Sequence, residues 1–200
     1  MAKPKPSPRK AAPPGRPSQV RLIAGLWRGR KLPVADREGL RPTPDRVRET
    51  LFNWLAPWVP GSRCLDCFSG TGALALEALS RGAAQACLLE FDQGVAQQLR
   101  CNLATLNDQR GRVIQGDALL QLAQPAPERF DLVFLDPPFR RQMLARCCEL
   151  LEANGWLAEE ARIYVECEKE LSLESLPSNW TLYREKSAGQ VSYRLFQRQP

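Results

Sequence analysis

RCLDCFSGTGALALEALSRG, residues 63–82, decides the fold. RCLDCF is a short apolar run suited to a buried strand, SGTG is a turn, and ALALEALS reads as a helix closed by Gly82. Moving outward, the same alternation continues. AAQACLLE (83–90) predicts a strand, 92–106 a helix ending near Asn107, RVIQG (112–116) a strand, and 117–123 a short helix. FDLVFL (130–135) predicts a further buried strand, followed by a helix over 140–153 and a strand over 162–168. Strands alternating with helices imply a mainly parallel, doubly wound α/β sheet covered on both faces. The rhythm breaks only at the end, where TLYREKSAG and QVSYRLFQRQ predict an antiparallel hairpin about Ala188-Gly189, giving seven strands.

Upstream, VRLIAGLWRGRKL (20–32) reads as a β-ribbon. Thr43-Pro44-Asp45 is a helix start: a capping hydroxyl, proline at the first helical position and an acid in the first turn. The helix runs to about Ala56, with Val47, Leu51 and Trp54 on one face and Arg46, Thr50 and Asn53 on a polar stripe. Residues 1–18 hold six prolines and five cations with no acid, the composition of a disordered tail. The chain thus divides into that tail and a single domain over 19–200, of which 19–56 form an N-terminal ribbon and helix.

The net charge of +6 is unevenly placed: +5 in residues 1–18, +4 in 19–55 and −3 in 56–200. A positive field confined to the first quarter of the chain suits a polyanionic partner there, or else a solubilising tail. The absence of histidine removes Ser-His and Cys-His nucleophiles and histidine-ligated metals. Seven scattered cysteines in a chain of this size read as reduced thiols, which points to the cytoplasm. Cys64 and Cys67 form the one CxxC. Three apart on a strand, they face opposite ways, so they are core residues and no metal site is expected. No apolar run is long enough for a bilayer span, and no membrane partner is expected.

Asp66-x-Phe68-x-Gly70-x-Gly72 stands between the first core strand and its helix. The third glycine of a dinucleotide loop is missing, and so is the lysine of a P-loop. Glu90, which ends the second strand, can accept hydrogen bonds from both hydroxyls of a ribose. Asp117, ending the third strand with Ala118 beside it, can reach an adenine amino group. The Asp66 carboxylate suits a cationic aminoacyl end better than a diphosphate. Adenosine joined to an amino acid is S-adenosylmethionine.

Asp136-Pro137-Pro138-Phe139 ends the fourth core strand, at the carboxyl edge where such sheets bind ligands. An exocyclic base amine is a poor nucleophile because its lone pair is delocalised into the ring. Asp136 and the Pro137 carbonyl can accept from both its N–H groups, aim the lone pair, and take up the released proton. Phe139 can stack on a base turned out of its helix. An Asp-Pro turn with no chemistry is the plainer alternative.

DxFxGxG with DPPF resembles the amino-methyltransferase superfamily, whose substrates are adenine, guanine, cytosine or glutamine nitrogens. The tetrapeptide does not choose among them. RLIAGLWRGRKL (21–32), RPTPDRVRETLFNWL (41–55) and LDCFSGTGALALEALSRGA (65–83) resemble the RsmD family over about residues 20–200. Ser69, Thr71 and Pro44 depart from that family's usual residues without removing a functional group. The resemblance implies a Rossmann-like methyltransferase sheet that uses S-adenosylmethionine on N2 of one guanine of 16S ribosomal RNA, conventionally position 966. It also implies a partner in the small ribosomal subunit or a late assembly intermediate. Arg28, Arg30, Lys31, Arg41, Arg46 and Arg48 are then candidates to hold phosphates, on a ribbon and helix expected to adjoin the active-site edge. Three alternatives stay open: an amino-methyltransferase of adenine N6 or glutamine, a nicotinamide oxidoreductase, and a non-catalytic ribosome-assembly factor.

Overall fold

A computed structural model describes residues 18–40, 42–138, 143–169 and 176–200. The tail through residue 17, Arg41 and Phe139 lie outside the described residues. A two-stranded ribbon comes first, β1 (Gln19–Arg21) antiparallel to β2 (Lys31–Pro33), joined through a 3-10 turn at Gly25–Trp27. Helix α1 (Asp45–Leu55) follows, and then β3 (Arg63–Asp66), α2 (Ala73–Ser80), β4 (Gln85–Glu90) and α3 (Gln93–Leu106). The chain continues through β5 (Gly111–Gln115), α4 (Ala118–Leu122), β6 (Phe130–Leu135) and α5 (Met143–Ala153). It ends in β7 (Leu157–Glu168), β8 (Trp180–Ala188) and β9 (Val191–Arg198).

Strands β3 to β9 form one sheet in the order β5-β4-β3-β6-β7-β9-β8, parallel from β5 to β7 and antiparallel through β9 and β8. The chain steps outward from β3 to β4 and β5, then returns to lay β6 on the other side of β3. That reversal is a topological switch point, the place where an open α/β sheet leaves a crevice at its carboxyl edge.

Two apolar cores flank the sheet. The ribbon, α1, α2 and α3 close one face with Val20, Leu22, Leu51, Phe52, Leu76 and Leu103, while α4 and α5 close the other with Leu122, Cys147, Cys148 and Leu151. Cys64 belongs to the first core and Cys67 to the second, as the strand period requires. Burial raises both thiols, Cys64 to about 12, so neither is a thiolate at neutral pH.

Two local expectations are corrected. Thr43 gives α1 no side-chain cap; Pro44 holds the capping position, and the Thr43 carbonyl instead accepts from Arg48 Nε at 3.1 Å. The buried stripe of α1 is Arg48, Leu51, Phe52 and Leu55, while Val47 and Trp54 are only partly covered. A buried arginine shifted the inward face away from the apolar residues that mark it in the sequence. Among the described residues no helix is long and apolar enough to cross a membrane.

Candidate active site at the carboxyl edge

Four carboxylates stand at the ends of four neighbouring strands. Glu90 ends β4, Asp66 ends β3, Asp136 follows β6, and Glu166 lies near the end of β7. The parallel register pairs Asp66 with Phe134 and Leu135 with Val165, which sets Asp136 beside Glu166. Phe134, Asp136, Tyr164 and Glu166 share one face of the sheet by the strand period; the Phe134 and Tyr164 rings meet edge to face at 6.5 Å.

Glu90 is held by the backbone at both oxygens. Gly70 N donates to Oε2 and Asp92 N to Oε1, each at 2.8 Å. This locks the turn of the Asp66–Gly72 loop to the end of β4. An ionised carboxylate has roughly four acceptor positions, so two remain for incoming hydroxyls. Gly70 takes φ +50, and a Cβ there would stand 3.2 Å from Leu40 Cδ1, in the segment that crosses the loop between the ribbon and α1. Gly72 takes φ +75, and a Cβ there would stand 2.6 Å from Leu99 Cδ2 of α3. The left-handed backbone and this contact both favour glycine there.

Asp66 is corrected as a direct contact for a cationic group. It is buried, and its carboxylate accepts from the Ala75 and Phe68 backbone, so it shapes the loop from beneath. Burial pushes its pKa up to about 7; those backbone donors oppose the rise and the Glu90 charge adds to it. Phe68 is half-buried. Asp117 caps α4, its Oδ1 accepting from Leu120 N at 3.0 Å, and Ala118 is buried beside it. Sequence reasoning missed Phe91, directly after Glu90, and Leu120, in the first turn of α4 three residues after Asp117. They are 72% and 69% exposed, apolar surface held in water at the same edge. An acceptor carboxylate for vicinal hydroxyls with exposed apolar side chains alongside is the combination of contacts a nucleoside requires, so these residues fit S-adenosylmethionine.

Across the switch point, Asp136 is half-buried, Pro137 buried and Pro138 exposed. Asp136 is raised well above the usual carboxylate range by burial first, then by the charges of Glu166 and Asp66. Glu166 is also raised by burial, against a hydrogen bond donated to its Oε2 by Tyr164 Oη at 2.9 Å. Sequence reasoning missed both Glu166 and Tyr164; the one available signal was an acid interrupting the apolar run of β7.

The basic candidates scatter. Arg48 is corrected: it is wholly buried, donating to Asp45 Oδ1 at 2.5 Å and to the Arg21 carbonyl at 2.8 Å, with its Nη1 lying 3.6 Å from Glu77 Oε2. It joins ribbon, α1 and α2 and cannot reach a phosphate. Arg46 is exposed in the first turn of α1. Arg28, Arg30 and Lys31 are exposed, yet the expectation that the ribbon tip adjoins the active-site edge is overturned. Gly25 packs onto the Ser80 carbonyl at the end of α2, and Arg30 Nη2 donates to Thr105 O in the last turn of α3. Thr105 lies 12 residues beyond the first residue of α3, or about 18 Å along the axis at 1.5 Å per residue. The helix begins at the carboxyl edge, so Arg28 and Arg30 sit at the opposite one.

A family profile described as "Conserved hypothetical protein 95" matches residues 20–197. The chain is 60% identical over 181 residues to the ribosomal RNA small subunit methyltransferase D of Escherichia coli, covering 90% of this chain and 91% of that one. The chain belongs to this family. The Haemophilus influenzae member is 52% identical over 192 residues, covering 94% and 99% of the two chains. A solved Escherichia coli structure described as a methyltransferase superposes with a TM-score of 0.84 at 58% identity, over 91% of this chain and 99% of that one. A Haemophilus influenzae structure described as a methylase gives 0.80 at 49% identity, over 92% and 100%. The match begins at the ribbon, so the basic N-terminal elements belong to the family together with the catalytic sheet.

Proposed function

We propose that this chain transfers a methyl group from S-adenosylmethionine to the exocyclic N2 amine of one guanine in 16S ribosomal RNA. Its setting is the cytoplasm, and its substrate the small ribosomal subunit or a late assembly intermediate. The observation that carries this reading is the placement of Asp136-Pro137 directly across the switch point from the Glu90-braced loop. The relatives' own description, ribosomal RNA small subunit methyltransferase D, supports the choice of polymer.

The cofactor supplies a methyl carbon bound to cationic sulfur, which is an electrophile. Glu90 accepts from ribose hydroxyls, Phe91 and Leu120 offer apolar surface to the adenine, and Asp66 holds the loop in shape. Asp136 and the Pro137 carbonyl accept from the two N–H groups of the base amine and localise its lone pair. Bound there, the cofactor would supply the methyl group and keep the electron pair of the broken C–S bond on sulfur, and Asp136 would accept the proton that the methylated amine releases. Phe139 is the candidate to stack on the base, and Arg41 and Arg46 are candidates to meet phosphates. Arg28, Arg30 and Lys31 meet phosphates farther off.

The test is tritium transfer from labelled cofactor to small subunits, naked 16S RNA and DNA. Wild type labels N2 of one guanine in small-subunit RNA. Asp136→Ala binds cofactor within a few-fold of wild type and turns over about 10²–10⁴ times more slowly. Label on DNA or on an adenine, or normal turnover by Asp136→Ala, overturns the reading.

A further inference from the structure

We infer that Glu166 is the residue that selects guanine, by accepting the ring N1–H while Asp136 and Pro137 hold the neighbouring amine. This rests on the reading of the site given above, because Asp-Pro-Pro by itself suits any base amine.

The chemistry of the bases supplies the first half of the argument. The ring nitrogen flanking the amine is an unprotonated acceptor in adenine (N1) and in cytosine (N3). Guanine alone carries a donor there, N1–H beside N2–H₂. A second carboxylate next to the one that takes the amine therefore attracts guanine and repels adenine and cytosine, which would turn a lone pair towards it.

Geometry supplies the second half. The β6–β7 register runs from Leu132 opposite Arg162 to Leu135 opposite Val165, and one step further sets Asp136 next to Glu166 on one face. Tyr164, two residues earlier on that face, donates to Oε2 at 2.9 Å and fixes the side chain. Oε1 has no hydrogen-bond partner among the described residues. Tyr164 is buried between Phe134 and the rest of the first core, so the tether is rigid. A half-buried acceptor, oriented by a buried tyrosine and left with a free oxygen beside the amine-binding carboxylate, has the form of a base-edge contact.

By the strand period the titratable groups on this face of the strands are Asp136 on β6, Cys64 and Asp66 on β3, Glu90 on β4, Arg162, Tyr164, Glu166 and Glu168 on β7, and Tyr193, which the register sets opposite Glu166 on β9. Burial raises both members of the Asp136–Glu166 pair. A raised acid is protonated as pH falls through its folded value, so the acid limb of activity reports the pair.

The experiment uses the full-length enzyme and small subunits reconstituted with the target guanine replaced by 2-aminopurine. That base keeps an amine at position 2 but has an acceptor at N1. Wild type is expected to prefer guanine over 2-aminopurine by about 10- to 100-fold in kcat/KM. In Glu166→Gln the amide can donate to N1, so the preference falls to within about threefold and the acid limb moves to lower pH. Tyr164→Phe keeps the core's shape, frees the Glu166 carboxylate, and is expected to lose several-fold of the preference with cofactor binding retained. It carries the test alone if Glu166→Gln does not fold. A preference unchanged in both variants, or in Tyr164→Phe alone where only it folds, refutes the assignment. If wild type instead fails to methylate guanine-bearing subunits, the failure lies with the proposed function.

Discussion

Glu77→Ala is the most severe single change the fold predicts outside the chemistry. Glu77 lies in the middle of α2, wholly buried. It accepts from Ile23 N at 2.8 Å, Ala24 N at 3.0 Å and Arg81 Nε at 2.7 Å, and stands 3.6 Å from Arg48 Nη1. Nη1 has no hydrogen bond of its own, so Glu77 is the counter-charge that lets this end of Arg48 stay inside. Removing one member of a buried ion pair costs about 3–5 kcal/mol because the other charge is stranded. The two orphaned amides would each add about 1–3 kcal/mol if they stayed dry. Release of the ribbon into water caps that sum, so the net loss should stay near the ion-pair figure. For a chain of this length a loss of about 3–5 kcal/mol lowers Tm by about 6–20 °C. Thermal unfolding followed by circular dichroism measures it, and hydrogen exchange at Ile23 and Ala24 locates it, since those amides should lose protection before the sheet does. A Tm within about 2 °C of wild type with both amides still protected would show that apolar packing alone holds the ribbon, and the buried-charge reasoning would be wrong.

Glu90→Ala should weaken S-adenosylmethionine binding by about 10- to 100-fold in calorimetry, through lost hydroxyl acceptors and a loosened Gly70 turn, with the sheet intact; unchanged affinity would place the ribose elsewhere. Arg28→Ala with Arg30→Ala should leave kcat on saturating small subunits unchanged and flatten the salt dependence of binding by roughly 1.4–1.8 in log–log slope, the value for two phosphate contacts. An unaltered slope would mean the ribbon tip touches no RNA. Deleting residues 1–17 should reduce affinity chiefly at low salt and leave the modified position unchanged in mass mapping.

The sheet was legible because its signals are local. Strand-length apolar runs, helix-length amphipathic runs and glycine or asparagine stops at Gly82 and Asn107 each occupy a few consecutive residues. The two site motifs were legible for the same reason, being short and placed at strand ends. Glu166 was not, because its meaning comes from lying beside a residue thirty positions earlier, and only the β6–β7 register makes them neighbours. Arg48 misled for a related reason. Beside Arg46 and Glu49 it looks like one more charge on a solvated helix, and nothing nearby announces that Glu77 waits across the core. The ribbon tip misled through direction: its charge was read correctly, whereas which edge it occupies depends on Gly25 seating on the Ser80 carbonyl.

That displacement of charge bears on how the site works. Among the described residues, the carboxyl edge presents Glu90, Asp136 and Glu166 around the proposed reaction centre, with Asp66 beneath, and these acids do not draw a polyanion. The positive charge lies in residues 1–55, while 56–200 carry −3. Among the described residues, Arg28 and Arg30 stand at the edge opposite the site. Cations at the periphery supply salt-sensitive affinity that does not read sequence. On the proposed reading the acids at the centre then discriminate, since a group bearing N–H donors offsets the desolvation of those carboxylates. A phosphate near the same acids adds repulsion, and a base edge with the wrong pattern leaves them unpaired. On the proposed reading, an acidic centre is part of the selectivity, because it makes the site hospitable to one edge of one base and to a cationic cofactor.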